Sequence, residues 1–262
     1  FSRTGACMNR KLLKRILVTS AIAILGVNTS FAALVMEQDQ SVDTAPSVGM
    51  YRFEVPVELQ GTYNSAGVAN LTASMEKEPN TLSMNVAHVK GNPSESYVVE
   101  IYKDLAAIET HRKSDHYQAF VNEVGSKLTN RKMYDVQSVL LFEKKDALSI
   151  VNDGKAVVTL TEFTVDSNEI DTVQRQYQLD MERAVRDDAG YKAGYVLRER
   201  NAKNRWYVIQ IYSDQEALTK HLNSPGYRFM MSQIQGSLQN VTTKVLDGDV
   251  LVNHGGQAFV RP

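Results

Sequence analysis

His111 and His221 are the residues of this 262-residue chain best suited to proton chemistry. Imidazole titrates near neutrality, so a partly buried one can act as general base toward an acidic phenol or quinol. Each lies seven residues after an aspartate, Asp104 or Asp214, on the side of Ala107 and Ile108 or of Ala217 and Leu218. The structural alternative is a histidine held near a helix C-terminus, where its charged form is favoured. Tyr102, Tyr117, Tyr212 and Tyr227 could grip an aromatic ligand by stacking and hydrogen bonding, or serve as ordinary aromatic core. His88 and Arg198 stand at matching strand positions and would offer different polar groups to two non-equivalent pockets. Trp206, the single tryptophan, would line a pocket or close the end of a barrel. His111-x4-His116 beside Asp115 suggests a metal, but the pair straddles a helix break and no third ligand is in evidence, so His116 reads as exposed and no metal site is expected. No dinucleotide fingerprint, Walker loop or H-E-x-x-H is present, which suits a cofactor-independent enzyme and a binding protein equally.

The elements that must position these residues occur twice. Tyr97–Leu128 returns 110 residues later as Tyr207–Leu238, with ten of 32 positions identical, both histidines and all four tyrosines included. A repeat of this length is a duplicated domain rather than a solenoid unit. Tyr97–Lys103 alternates aromatic and β-branched residues and predicts a strand. Asp104 and Asp214 then predict helix caps, since a carboxylate can accept the free amides of a first turn. Ser114, and Ser224 followed by Pro225, predict a second helix start. The stripe Tyr117, Phe120, Val121, Val124, Leu128, matched by Tyr227, Met230, Met231, Ile234, Leu238, predicts one buried face.

Around this segment the spacing predicts a strand over Tyr51–Leu59, a helix capped by Ser65 and ended at Glu78-Pro79-Asn80, and a hairpin of Leu82–Val89 with Tyr97–Lys103. A single closing strand follows over Lys132–Glu143. The second copy repeats the order. It predicts strands at Val157–Val165, Tyr191–Arg198, Trp206–Ser213 and Thr242–Val252, with a helix at about Asn168–Arg186. Two α+β domains of the order β-α-β-β-α-α-β result, each an antiparallel sheet with helices on one face. The expected division is a pre-sequence and signal peptide over 1–32, a flexible tether over 33–49, a first domain over 50–144, a linker over 145–155, a second domain over 156–253 and a tail over 254–262.

Met8–Ala32 has the layout of a secretory signal. Arg10, Lys11, Lys14 and Arg15 precede the apolar run Ile16–Val27, and Ser30-Phe31-Ala32 offers a small-x-small cleavage site. The run is too short for a stable bilayer span. A periplasmic or secreted protein is therefore expected, with no membrane attachment after cleavage. Residues 1–32 hold five of the 29 basic residues and none of the 30 acidic ones, so the remainder has a net charge of −6. That balance argues against nucleic acid as a partner. The only cysteine, Cys7, precedes Met8, so no disulfide or thiolate site is expected in the exported chain.

The pattern Glu78-Pro79-Asn80, then Tyr97-Val-Val-Glu-Ile-Tyr-Lys-Asp104, then Ala107-x3-His111-x2-Ser114-x-His116-Tyr117 resembles the antibiotic-biosynthesis monooxygenase superfamily. The branch it is most similar to is that of quinol monooxygenases and autoinducer-degrading proteins. Asp214-x2-Ala217-x3-His221-x2-Ser224-Pro225-x-Tyr227 resembles it again. The resemblance implies the dimeric α+β barrel, two ferredoxin-like domains here joined in one chain as a pseudo-dimer, with ligand pockets between sheet and helices. It implies cofactor-free oxygenation of a small aromatic or quinol ligand. A small-molecule or haem-binding module without turnover is the alternative, and further pairing into a homo-oligomer stays open.

Overall fold

The computed structural model describes residues 44–262. The expected signal peptide and all but the end of the expected tether lie outside the described residues. The tether's last three residues, Ser47–Gly49, instead begin the first strand. No helix of the described residues is long and apolar enough to cross a membrane.

The first half runs β1 (Ser47–Glu54), a 3-10 turn (Val57–Leu59), α1 (Gln60–Lys77), β2 (Thr81–Val89), β3 (Asn92–Tyr102), α2 (Leu105–Lys113), α3 (Asp115–Glu123) and β4 (Thr129–Tyr134). β5 (Val136–Glu143) and β6 (Leu148–Val151) follow. The second half repeats this as β7 (Val157–Val165), α4 (Ile170–Asp187), β8 (Tyr191–Glu199), β9 (Arg205–Tyr212), α5 (Gln215–Asn223), α6 (Pro225–Ile234), β10 (Leu238–Asn253) and β11 (Ala258–Val260). Matching elements keep the offset of 110, so residues can be compared one to one. The sheet order is β11-β5-β8-β9-β7-β10-β2-β3-β1-β4, and adjacent strands pair antiparallel. Within it each half keeps the ferredoxin-like order: β4-β1-β3-β2 in the first, and the N-terminal part of β10, then β7-β9-β8, in the second. The expected α+β pseudo-dimer is what the chain forms.

The closing strands differ from expectation. Lys132–Glu143 is not one strand of the first domain. It breaks at Asp135: β4 pairs with β1, whereas β5 pairs with β8 of the other half. β10 stays continuous and does the same in reverse, pairing with β7 through Asp247 and with β2 through Asn253. Each half thus lends its last strand to its neighbour. The segments expected to be linker and tail also carry strands, β6 against β10 and β11 against β5. Period-two alternation marks a strand but not its partner, which is why the exchange does not show in sequence.

Strand alternation separates two kinds of core. Met50, Tyr97, Val99 and Ile101 face inward and meet Tyr195, Leu197, Tyr207 and Ile209 of the other half in a shared barrel interior. Phe53, Met84, Val98 and Tyr102 face outward to α1, α2 and α3; Phe163, Val196, Trp206 and Val208 do so under α4 and α6. The strand expected over Tyr51–Leu59 ends at Glu54, and Val57 is exposed on the 3-10 turn. Ser65 lies inside α1, which begins at Gln60 without a side-chain cap.

The caps fall where expected. Asp104 accepts the Ala107 amide at 2.9 Å and Asp214 that of Ala217 at 2.8 Å; Ser114 and Ser224 accept from Tyr117 and Tyr227. Asp104→Ala is expected to lower stability by about 1 kcal/mol, with Asn retaining most of it, as read by urea unfolding midpoints. Equal midpoints for the Ala variant and the parent would show the cap to be dispensable.

Candidate functional site

The capping aspartate fixes the direction of α2, and seven residues on His111 turns inward beneath the C-terminus of α1. There it is 1% exposed. Its Nδ1 lies 3.1 Å and 3.2 Å from the two Glu78 carboxylate oxygens and 3.3 Å from Ser74 Oγ. Glu78, which ends α1, also accepts from Thr81 Oγ1 at 2.7 Å and from His116 Nε2 at 2.7 Å. Burial alone would raise the Glu78 carboxyl, but hydrogen bonds from His111, Thr81 and His116, and the charge of His111 when that ring is protonated, hold it down at about 2. An ionised carboxylate only accepts, so the His111 proton sits on Nδ1. Nε2 has no hydrogen-bond partner. A neutral imidazole held in this tautomer presents its basic lone pair there.

His116 therefore corrects its sequence reading: it is mostly buried against Glu78, not an exposed first-turn residue. Glu78 is also the third potential ligand that the sequence did not reveal, with His111 and His116 all within 4.8 Å. The second half answers differently. His221 Nδ1 lies 2.9 Å from Asp188, the counterpart of Glu78. His116 is replaced by Gly226, and a side chain there would overlap the Arg183 guanidinium. Arg183, which replaces Ala73, reaches Asp188 at 3.0 Å. A histidine from α3 and an arginine from α4 thus serve one purpose, donating to the acid that orients the buried histidine. Arginine does not ligate metals, which favours the hydrogen-bonding role for His116.

Beside this dyad lies a cavity of about 30 Å³ between the first half's sheet and helices, lined by Tyr51, Phe53, Tyr63, Gly67, Asn70, Glu100, Tyr117, Phe120 and neighbouring aliphatics. Asn70 Oδ1 is buried and unpartnered. Burial pushes the Glu100 carboxyl up against the opposing pull of His111, the Tyr102 hydroxyl and Arg112. In the second half His221 Nε2 sits 3.4 Å from Asp180 and 3.5 Å from Gln210, the counterparts of Asn70 and Glu100. By the repeat, the free His111 nitrogen lies on the side of Asn70 and Glu100, both of which line the cavity.

The sequence candidates divide around this site. Tyr102 joins it by donating to Glu100 at 3.0 Å, and Tyr117 packs edge-on to His111 at 4.9 Å and lines the cavity. Tyr212 and Tyr227 flank His221 at 5.6 Å and 5.1 Å. His88 is not brought here. It stands at the far end of β2, seven residues or about 23 Å from Thr81, bound to Asp249 at 2.8 Å. Arg198 at the matching end of β8 faces the Gln137 side chain. Trp206 is wholly buried, stacks on Phe163 and donates to the Lys203 carbonyl. The sequence missed Asn70, Glu100 and Gly67, none of which stands out by type. It did single out Glu78, but as a helix stop and as part of the resembling pattern, with no chemical role.

With this geometry in hand, comparison with known proteins gives a consistent picture. The family model for antibiotic biosynthesis monooxygenase matches residues 48–123 and 156–232. A search of curated proteins found no match. Among solved structures, the chain is similar to a "putative monooxygenase" from Lactobacillus acidophilus NCFM, with a TM-score of 0.76 and 19% identity over 82% of this chain and 99% of that one. It is similar to another so described from Fusobacterium nucleatum, with a TM-score of 0.74 and 19% identity over 84% and 100%. An anthrone oxidase-like protein follows at a TM-score of 0.51 and 10% identity over 84% and 98%. At these identities the likeness is one of fold.

Proposed function

The chain belongs to the antibiotic biosynthesis monooxygenase family, and from that premise we propose that it is an exported, cofactor-independent monooxygenase acting on a small aromatic or quinol substrate. The observation that carries the reading is the His111 Nε2 atom, buried, unpartnered and held as a base by Glu78, beside an aromatic-lined cavity. The export rests on the pattern of Met8–Ala32 alone.

The substrate's hydroxyl would sit at Asn70 and Glu100, with its ring among Phe53, Tyr63 and Phe120. The void is small, so entry moves the partly exposed Phe120 ring outward. His111 Nε2 takes the acidic proton, and the resulting carbanion passes an electron to dioxygen. The radical pair closes a carbon–oxygen bond, and the protonated peroxide loses water to leave a carbonyl. One oxygen atom enters product and one leaves as water, both electrons coming from substrate. The apolar walls keep water from quenching the carbanion.

Oxygen uptake against a panel of reduced quinols and polyphenols tests this. The expected result is uptake above autoxidation that persists in EDTA and gains nothing from added flavin. Loss of uptake in EDTA, restored by a divalent metal, would transfer the role of Glu78, His111 and His116 to a metal. Absence of uptake across the panel would leave the binding-module reading in its place.

A further inference from the structure

We infer that, of the two equivalent pockets between sheet and helices, only the first half's is kept as a ligand site, and that it takes a neutral phenol whose hydroxyl donates a hydrogen bond. The ligand class rests on the function proposed above, the loss of the second half's pocket does not, and the open cleft beside His221, lined by Asp188, Ser213 and Lys220, is a separate feature. The deciding pair is Gly67 and Tyr177, which occupy the same position of α1 and α4. A Cβ on Gly67 would meet nothing within 4 Å, because that residue borders the cavity. At the same place in the second half the Tyr177 ring is buried and stacks on Phe163, with centroids 5.9 Å apart and planes 8° apart. Phe163 in turn stacks on Trp206 at 6.3 Å. Phe163 is matched by Phe53 in the first half, so the rings that fill the second half's pocket are Tyr177 and Trp206, in place of Gly67 and Ser96.

The polar groups at the two sites follow the same division. Asn70 Oδ1 has no partner and Asn70 lines the void. Its counterpart Asp180 has one oxygen on Arg183 at 2.9 Å and the other 3.4 Å from His221 Nε2. Glu100 lines the void, while its counterpart Gln210 donates to the Tyr191 hydroxyl at 3.4 Å. Tyr191, which replaces Thr81, reaches into space that any side chain at Gly194 would occupy; the first half has Met84 there. The first half thus turns Asn70 and Glu100 to its cavity, Glu100 also accepting from Tyr102, whereas in the second half Asp180 and Gln210 face Arg183, His221 and Tyr191. Two acceptors, one of them a carboxyl, select a ligand that donates and reject an anion, whose charge would meet them unpaired.

Titration of the purified chain with 4-fluorophenol, followed by calorimetry and by the ¹⁹F signal, tests the inference, with 4-fluorobenzoate as the anionic control. One phenol per chain and at least tenfold weaker benzoate binding are expected. Gly67→Tyr should lose phenol binding at least tenfold at a melting temperature near the parent's. Gly67→Leu serves if the tyrosine variant does not fold. Tyr177→Gly should add a second site, and Tyr177→Phe should not. Two equivalent sites in the parent, no phenol binding by the parent, or full affinity in a folded Gly67 variant would each overturn the assignment. Phenol binding of this pattern without oxygen uptake on any substrate supports the site and discards only the oxygenase reading.

Discussion

His111→Ala lowers oxygen uptake per folded chain by ~10²–10⁴-fold, the range that a positioned general base contributes. The loss falls on kcat rather than KM, because His111 meets the substrate only through the proton it removes. Glu78→Gln separates orientation from proton transfer. An amide in that place can donate to His111 Nδ1, which moves the imidazole proton to Nε2 and removes the lone pair from the cavity side. A loss on the order of 10²-fold is expected with the cavity intact and phenol affinity within about threefold of the parent's, since the wrong tautomer costs rate and not binding. Steady-state oxygen uptake with 4-fluorophenol binding measured on the same preparations decides it. If His111→Ala binds phenol and turns over its substrate at the parental rate, the proposed base is wrong.

The second half shows why this dyad is not merely a structural fixture. It keeps the histidine, the capping aspartate and the orienting acid, yet it fills the void and occupies the histidine's second nitrogen with Asp180 and Gln210. Conversion of a pocket into core needs few changes: a glycine becomes Tyr177, an alanine becomes Arg183, and His116 becomes Gly226. The last two are coupled, because the arginine needs the room that the glycine leaves. What differs between the halves is the void and the histidine's second nitrogen, and it is these that mark the site.

This also explains what the sequence makes legible. The repeat, the caps at Asp104, Asp214, Ser114 and Ser224, and the inward turn of both histidines follow from spacing within single elements, which local chemistry dictates. The Glu78–His111 contact joins residues 33 apart across α1 and α2, and no local pattern encodes it. Gly67 reads only as a weak point in a helix, because its meaning is the empty space above it. Asp135, where the closing strand breaks and passes to the other half, has a counterpart, Val245, at which β10 runs on unbroken. Partner choice by those strands depends on the barrel interior, where Glu143 of β5 is the least expected residue.

At pH 8, Glu143→Gln raises stability by up to about 3 kcal/mol, while at pH 5 the two chains differ little. Glu143 is 4% exposed inside the barrel, with Tyr195 of β8 donating to Oε1 at 2.8 Å and Oε2 unpartnered. Ser83 of β2 meets the same tyrosine at 3.0 Å and Asn85 donates to Ser83 at 2.9 Å. Burial pushes the Glu143 carboxyl up to about 7, with only the Tyr195 hydroxyl and a backbone bond opposing it. The folded value lies above the unfolded one near 4.5, so the native state holds this proton more tightly. That contribution is complete below about pH 4.5 and is lost as pH rises through 7. Glutamine mimics the protonated acid: its oxygen can accept from Tyr195 and it carries no charge. Unfolding midpoints of both chains at pH 5 and pH 8 are the measurement, and parallel pH dependence would remove Glu143 as the cause. Because β5 is the strand that the first half lends to the second, ionising Glu143 burdens the seam between the halves rather than either sheet alone. Amide exchange at pH 8 should therefore accelerate first along β5 and β8, before the helices that hold His111 in place.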